Sequence, residues 1–240
     1  MNLNPYLSGE AFSSALYFPF SPHTYEDLLR PDKIVEIVKN KRVIHIGCCD
    51  HLSLIEEKLK KNRWLHQLLV DHTQQCMGID NDREAVAYVS EKLNIKNVYC
   101  VDILKDDIDL GSDVWDYVIL GEVIEHVDNP VEFLQTVRFK FQKKAKKIIV
   151  TAPHVFNIYH AKYMKKNIEC INTDHRYWFS PFTLSKIMAL SGFTNHQMTF
   201  AQTVPLPFFK EVIRHLKKRM NIMRYYPANH FLSIILVADF

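Results

Sequence analysis

Apolar residues gather in seven short runs, at positions 42–46, 75–79, 97–101, 115–120, 147–151, 194–200 and 231–238. Val, Ile and Tyr dominate most of them without strict polar alternation, the pattern of strands covered on both faces in a parallel sheet. Between the runs the period becomes that of helices. Asp82 is placed to cap a helix over 83–93, and Asn129, Pro130 and Glu132 supply a capping side chain, a favoured first residue and a favourable first-turn charge. Ser180 and Pro181 repeat that device, and Gly192 suits the left-handed position that closes the helix. Strands alternating with helices over this length predict an α/β sheet with helices on both faces.

Two segments fall outside the alternation. Residues 1–40 are aromatic and interrupted by Pro5, Pro19, Pro22 and Pro31, which predicts an irregular N-terminal cap followed by one helix from Asp32. Residues 203–228 interrupt what would otherwise be a final β-hairpin and predict a helix with Phe208, Val212, Leu216 and Met220 on one stripe. Lys210, Arg214, Lys217, Lys218 and Arg219 lie off that stripe. A solvated face is their default reading; a lid over an anionic acceptor, a dimer element or a peripheral membrane contact are the alternatives.

Composition narrows the classes. With 240 residues, 48% hydrophobic and 24% charged, the chain suits one globular domain of generous size. A net charge of +3 is too small for a nucleic-acid footprint, so no nucleic-acid partner is expected. Lys140, Lys143, Lys144, Lys146 and Lys147 gather around a helix end, where the dipole favours cations. The five cysteines are odd in number and lack a Cys-x-x-Cys pair, which suits reduced thiols and argues against structural zinc. No stretch approaches the roughly 18 apolar residues of a membrane span, and the expected location is cytoplasmic.

Sheets of this kind bind ligands beyond the carboxyl ends of their strands. The residues of interest are therefore 47–52, 80–81, 102–103, 121–126, 152–157 and 172–180. The first segment follows VIHI in VIHIGCCDHLSL. A dinucleotide needs a glycine-rich turn for close approach to its pyrophosphate, whereas Gly47 stands alone, Cys49 blocks that approach and Asp50 would repel phosphate. S-adenosylmethionine has no phosphate, carries a cationic sulfonium and still needs an acid for its ribose. Asp80 and Asp102, each directly after a strand, are placed to accept from ribose hydroxyls and from the adenine amino group respectively.

The series VIHIGCCDHLSL, CMGIDNDREAV, VYCVDI, WDYVILGEVIEHVDNPVEFL and KKIIVTAP, over roughly residues 40–155, resembles the ordered motifs of class I S-adenosylmethionine-dependent methyltransferases. GEVIEHVDNP is its most specific piece. The resemblance implies a Rossmann-like, seven-stranded, mostly parallel sheet with an antiparallel last strand. It implies methionine contacts at Gly47, Cys48 and Cys49, ribose contacts at Asp80 and Asn81, adenine contacts at Asp102 and Ile103, and further cofactor contacts at Gly121 and Glu122. Family members commonly carry Asp where this chain has His45, and glycines near positions 49 and 51, so a remodelled hold on the methionine end is expected. The chain then divides into a cap (1–40), a cofactor-binding half (41–155) and an acceptor-side half (156–240). Within the family, WLHQLL at 64–69 and DHRYWFSPFTL at 174–184 resemble methyltransferases of bacterial capsule and other surface-glycan synthesis.

Methyl transfer from sulfur is an in-line displacement for which the protein mainly supplies positioning. A hydroxyl acceptor must also lose a proton, and histidine is the usual base. Among 12 histidines, His126, His154 and His175 follow strands or sit in the late loop, with His126 best placed. Asp174 neighbours His175 in sequence, which does not make them touch. Glu122, Glu125 and His126 resemble residues that hold a divalent cation in some quinone-biosynthesis O-methyltransferases. The preferred reading has no metal, with Glu122 on the cofactor and Glu125 capping or paired nearby. Tyr177, Trp178 and Phe179 are read as an acceptor wall or as core. The expected activity is O-methylation of a glycan precursor or substituent, yielding S-adenosylhomocysteine, on a small-molecule or glycan acceptor, anionic ones included. The rivals are a metal-assisted quinone-type O-methyltransferase, an NAD(P)-dependent oxidoreductase and a non-catalytic methyltransferase-like binding subunit.

Overall fold

Each of the seven apolar runs becomes a strand of one sheet: β1 (Arg42–Ile46), β2 (Gln75–Asp80), β3 (Val98–Cys100), β4 (Trp115–Gly121), β5 (Ala145–Pro153), β6 (Gln197–Ala201) and β7 (Ser233–Asp239). The order is β3-β2-β1-β4-β5-β7-β6, and β7 alone runs antiparallel to its neighbours. This computed structural model describes residues 2–19, 29–112, 114–193, 195–202, 216 and 231–240. The helix predicted over 203–228, with its basic face, lies outside the described residues apart from Leu216.

The helices among the described residues are α1 (Asn4–Ser8), α2 (Arg30–Val38), α3 (Leu52–Lys60), α4 (Leu65–His72), α5 (Arg83–Ala87), α6 (Pro130–Phe141), α7 (Ile158–Met164) and α8 (Pro181–Leu190). The capping side chains act as their types dictate. Asp82 accepts from Glu84 and Ala85, Asn129 accepts from Glu132, and Ser180 and Thr183 form a reciprocal capping box. Gly192 takes a left-handed φ of 85° beyond α8. Three departures concern helix boundaries. The first cap holds a short helix, α1; α2 begins at Arg30, with Pro31 in its first turn; and the helix over 83–93 widens into a π-turn at Tyr88–Lys92.

The strands lack strict alternation because both faces are covered. Ile44, Val118, Leu120, Ile148, Val150, Ile234 and Leu236 face Phe133, Leu134 and Val137 of α6 and Leu184 and Met188 of α8. Their neighbours Val43, Ile119, Ile149 and Ile235 face Ile34 and Val38 of α2 and Leu65 and Leu69 of α4. Burying each such side chain stabilises by roughly 1.5–3 kcal/mol, and a slip of one residue would exchange the two faces, so the register is firmly set. That register positions the site. Ile46 pairs with Ile79 on one side and Leu120 on the other, so Gly47, Asp80 and Gly121 leave the sheet at one level. Among the described residues, no helix is long and apolar enough to cross a membrane.

Candidate functional site

Two cavities, about 510 and 600 Å³, lie side by side over these strand ends and share Gly47, Asp80, Asn81, Val123 and His126. At their junction Gly47 has φ 70°, and a Cβ there would fall 2.4 Å from Val123 Cγ2, so glycine is required both by the backbone and by space. The loop it opens is fastened from below. Gly47 and Cys48 donate their N–H groups to the Ile79 carbonyl at 2.8 and 3.2 Å, and Cys49 N–H donates to Asp80 Oδ2 at 2.8 Å. Asp80 Oδ1 accepts from Asp82 N–H at 3.1 Å. Burial raises the Asp80 carboxyl pKa, with those backbone donors opposing the shift. Cys49, read as an obstruction, thus acts through its backbone, while the Cys48 side chain is buried against Ile55, Trp64 and Val89. Asp50 is paired with Lys58.

Asp102 lines the second cavity with Ile103 but is engaged in its own turn. It accepts from Leu104 N–H at 2.9 Å and pairs with Lys105 Nζ at 2.8 Å, an ion pair that lowers its pKa. Asn81 is exposed at the junction, beside Asp80.

After Gly121, Glu122 adopts φ 62°, a left-handed conformation that costs a non-glycine residue roughly 1–3 kcal/mol. Its N–H donates to Thr151 Oγ1 at 3.0 Å, and its carboxylate meets Arg30 Nη2 at 3.2 Å and Ser233 Oγ at 3.3 Å. Arg30 also donates to Thr151 Oγ1 at 3.3 Å, while its Nε is buried without a hydrogen-bond partner. Sequence reasoning missed Arg30, the first residue of α2, whose N–H is tied to the Gln202 carbonyl at 2.7 Å. No local motif could have found it.

His45 is buried and meets His66 ring to ring, Nδ1 to Nδ1, at 3.3 Å. Burial, with His66 and Arg30 adding to it, holds the His45 pKa well below the usual imidazole range. Burial alone brings His66 to about 4 and pushes the Cys76 thiol, 3.8 Å from His66 Nδ1, up to about 12. This is a neutral cluster, and Gly78 makes room for it: a Cβ there would lie 2.7 Å from His66 Cε1 and 2.8 Å from Cys48 Sγ.

On the far side of the 510 Å³ cavity the loop after β4 meets the 172–178 segment. Arg176 joins them, donating its N–H to the Glu125 carbonyl at 2.8 Å, its guanidinium to the His126 carbonyl, and pairing with Asp128 at 2.6 Å. Tyr177 Oη donates to the Asp128 carbonyl at 2.7 Å. These links bring the His126 and His175 rings to 4.7 Å at 83°. Burial is the first cause that lowers both their pKa values. Asp174 pairs not with His175 but with His51 across the cavity, at 3.2 Å. Glu125 corrects the expectation that it caps or pairs: it is 0% exposed, neither carboxylate oxygen has a hydrogen-bond partner, and burial with the nearby Glu122 raises its pKa well above the usual range.

His154 is a second correction. Although it directly follows β5, its ring turns into the core, with Nδ1 3.4 Å from the Phe231 carbonyl and the ring against Phe200, and it lines neither cavity. The aromatic triplet also divides. Phe179 is core, Tyr177 anchors the loop, and Trp178 lines a separate apolar cavity of about 400 Å³ shared with Phe156, Tyr163, Met164 and Ile168.

The sequence model of the methyltransferase-domain family matches residues 23–198, well over half of the chain. No curated protein matches. Among solved structures, a SAM-dependent methyltransferase from Archaeoglobus fulgidus is 18% identical with a TM-score of 0.51, covering 88% of this chain and 91% of that one. A Thermotoga maritima SAM-dependent methyltransferase, described as a possible histamine N-methyltransferase, is 15% identical with a TM-score of 0.54, covering 87% and 86%. The small RNA methyltransferase HEN1 is 17% identical with a TM-score of 0.54, covering 92% of this chain but 27% of that one. Family membership sets aside the oxidoreductase expectation. The chain belongs to the methyltransferase-domain family, and its sheet has the fold of the SAM-dependent methyltransferases on which it superposes.

Proposed function

We propose that the paired cavities bind S-adenosylmethionine and direct its methyl group to a hydroxyl of a glycan precursor or glycan substituent. The observation that carries the reading is the shared level of Gly47, Asp80 and Gly121, which sets a glycine turn beside a carboxylate at the junction of two cavities. The residues present fit that donor. No phosphate-binding turn is needed, and the cavity that Gly47 lines together with Arg30, whose Nε is buried without a hydrogen-bond partner, suits an amino-acid end. In this reading Gly47, Cys48 and Cys49 face that end, with Gly121, Glu122 and Arg30 opposite. Asp80 and Asn81 face the ribose, and Asp102 and Ile103 the adenine. The descriptions of the solved relatives as SAM-dependent support the same donor.

When bound, the donor supplies a methyl group on a cationic sulfonium. The chain's own contribution is positioning: the loop fastened to Asp80 fixes one side of the cleft, and the Arg176 anchors fix the other. His126 and His175 have their pKa values lowered by burial, so at neutral pH both rings keep lone pairs available to a proton or a cation. On the acceptor side, Asp50, His51, Asn172, Asp174 and His175 line the 510 Å³ cavity, a polar set suited to a hydroxyl-rich sugar. A second reading, a quinone-type ring, draws support from the apolar cavity at Trp178.

Incubation with methyl-labelled S-adenosylmethionine and a panel of nucleotide sugars, oligosaccharides and quinols tests the proposal. Label in an ether-linked sugar product is the expected result. Label confined to quinols or amines would contradict the glycan acceptor.

A further inference from the structure

The apolar cavity at Trp178 has no place in the cofactor site. It shares no lining residue with the 510 or the 600 Å³ cavity, yet it adjoins the first: His175 lines the 510 Å³ cavity, Trp178 the apolar one, and their rings meet at 5.9 Å. Ala161 and Met164 of α7, a helix that buries none of its own residues, form one side, and Ile168 lies beyond them. The polar groups around the space are spent within the protein. Trp178 Nε1 donates to Glu169 at 2.7 Å, Asn157 Nδ2 donates to the His154 carbonyl at 2.7 Å, and His160 Nδ1 lies 3.2 Å from the Val155 carbonyl. Phe156 is 65%, Met164 63% and Ile168 48% exposed, so the mouth is rimmed by carbon that water does not favour.

We infer that this cavity holds the aliphatic chain, acyl or isoprenyl, of an anionic amphiphile, and that the acceptor is a sugar carried on such a chain. The sugar rests on the methyl-transfer reading, whereas the chain site does not. Two observations choose a chain over a reacting ring. The hydroxyls of a quinol need hydrogen-bond partners, and the Trp178, Asn157 and His160 groups that could supply them are already engaged. A ring seated there would also lie behind the His175 and Trp178 side chains, apart from the junction at Gly47 where the other two cavities meet. Charge chooses the head. Lys162, Lys165 and Lys166, on α7 and the turn after it, are exposed and form no ion pair among the described residues, and ammonium groups complement phosphate.

Lodging the chain and presenting the sugar are then one event. With the chain beyond Trp178, its head is tethered beside the 510 Å³ cavity, where Asp50, His51, Asn172 and Asp174 suit a sugar, and the tether raises the local concentration of the hydroxyls. Each CH₂ group buried tightens binding about fourfold, the equivalent of about 0.8 kcal/mol. That gain is the same before and during methyl transfer, so a chain lowers the KM of the acceptor and leaves kcat unchanged.

The test is calorimetry of the full-length protein with octyl, decyl and dodecyl phosphate, each below its micelle concentration, and with inorganic phosphate. Affinity is expected to rise roughly fifteenfold for each added pair of CH₂ groups, with no saturable binding of inorganic phosphate. Ala161→Trp, which fills the cavity, and Met164→Asp, which charges it, should each weaken dodecyl phosphate roughly fifteenfold or more and leave S-adenosylhomocysteine binding unchanged. Neither substitution removes a core contact, because α7 buries none of its residues. Affinity independent of chain length, or dodecyl phosphate binding untouched by both substitutions, would overturn the site. Vesicles of phosphatidylglycerol bound equally by wild type and Ala161→Trp would also overturn it, in favour of a membrane-facing surface. Chain binding without methyl transfer to any sugar keeps the chain site and removes the glycan acceptor; methyl transfer to free and chain-bearing sugars with equal KM does the reverse.

Discussion

Asp80 and Glu125 stand at opposite ends of one cleft, both with carboxyl pKa values raised by burial, yet their surroundings differ. Asp80 accepts from Cys49 and Asp82 backbone donors, so its end is assembled before any ligand arrives. Glu125 accepts from nothing, and its end is held together by Arg176 and Tyr177 through backbone carbonyls instead. A satisfied acid with spare lone pairs is a preorganised acceptor for hydroxyl groups. An unsatisfied buried one costs stability until a partner reaches it.

The largest effect that would separate the two ends comes from Gly47→Val. A positive φ costs roughly 1–3 kcal/mol and the overlap with Val123 a similar amount, together on the order of 4 kcal/mol. Thermal denaturation should show a fall in Tm of about 8–16 °C; an unchanged Tm would mean that the fastened loop is not rigid.

The next effect is acidic. Below about pH 6.5 the unfolded chain protonates His45 and His66, whereas folded His66 resists until about pH 4, so stability should fall as pH drops through that window. For His66 alone the loss approaches about 3 kcal/mol at the acid end. Tm measured from pH 7 to 4.5 should slope less steeply in His66→Gln; parallel slopes would contradict a neutral cluster beneath the site.

Asp80→Asn should weaken S-adenosylhomocysteine binding roughly tenfold to a hundredfold, the cost of losing a hydrogen bond to a charged acceptor of about 1.5–3 kcal/mol. Calorimetry would read it directly. Smallest of all, Asp174→Ala removes an exposed pair with His51 and should change stability by less than about 1 kcal/mol in urea denaturation, because the segment is anchored by Arg176. A larger loss would place the anchor at Asp174.

Much of the Asp80 end was legible in the sequence, because strand ends and caps are local. The apolar runs mark the strands, Asp82, Asn129 and Ser180 cap as their types require, and register sets Gly47 and Asp80 side by side. At the Glu125 end the sequence offered Glu122, Glu125, His126 and His175 as candidates but not their contacts, because there the side chains meet across long separations. Arg30 reaches Glu122 from the start of α2, Asp174 chooses His51 over its neighbour His175, and His66 crosses from α4 to meet His45. His154 and His126 both come soon after a strand, but the direction a side chain takes once the strand has left the sheet has no periodic signature, and only His126 turns to the cleft.

A calorimetric titration of the full-length protein with S-adenosylmethionine, and separately with NAD, tests the central claim most directly. Saturable one-to-one binding of S-adenosylmethionine with no heat from NAD is the predicted result. Saturation by NAD, or none by S-adenosylmethionine, would contradict the account.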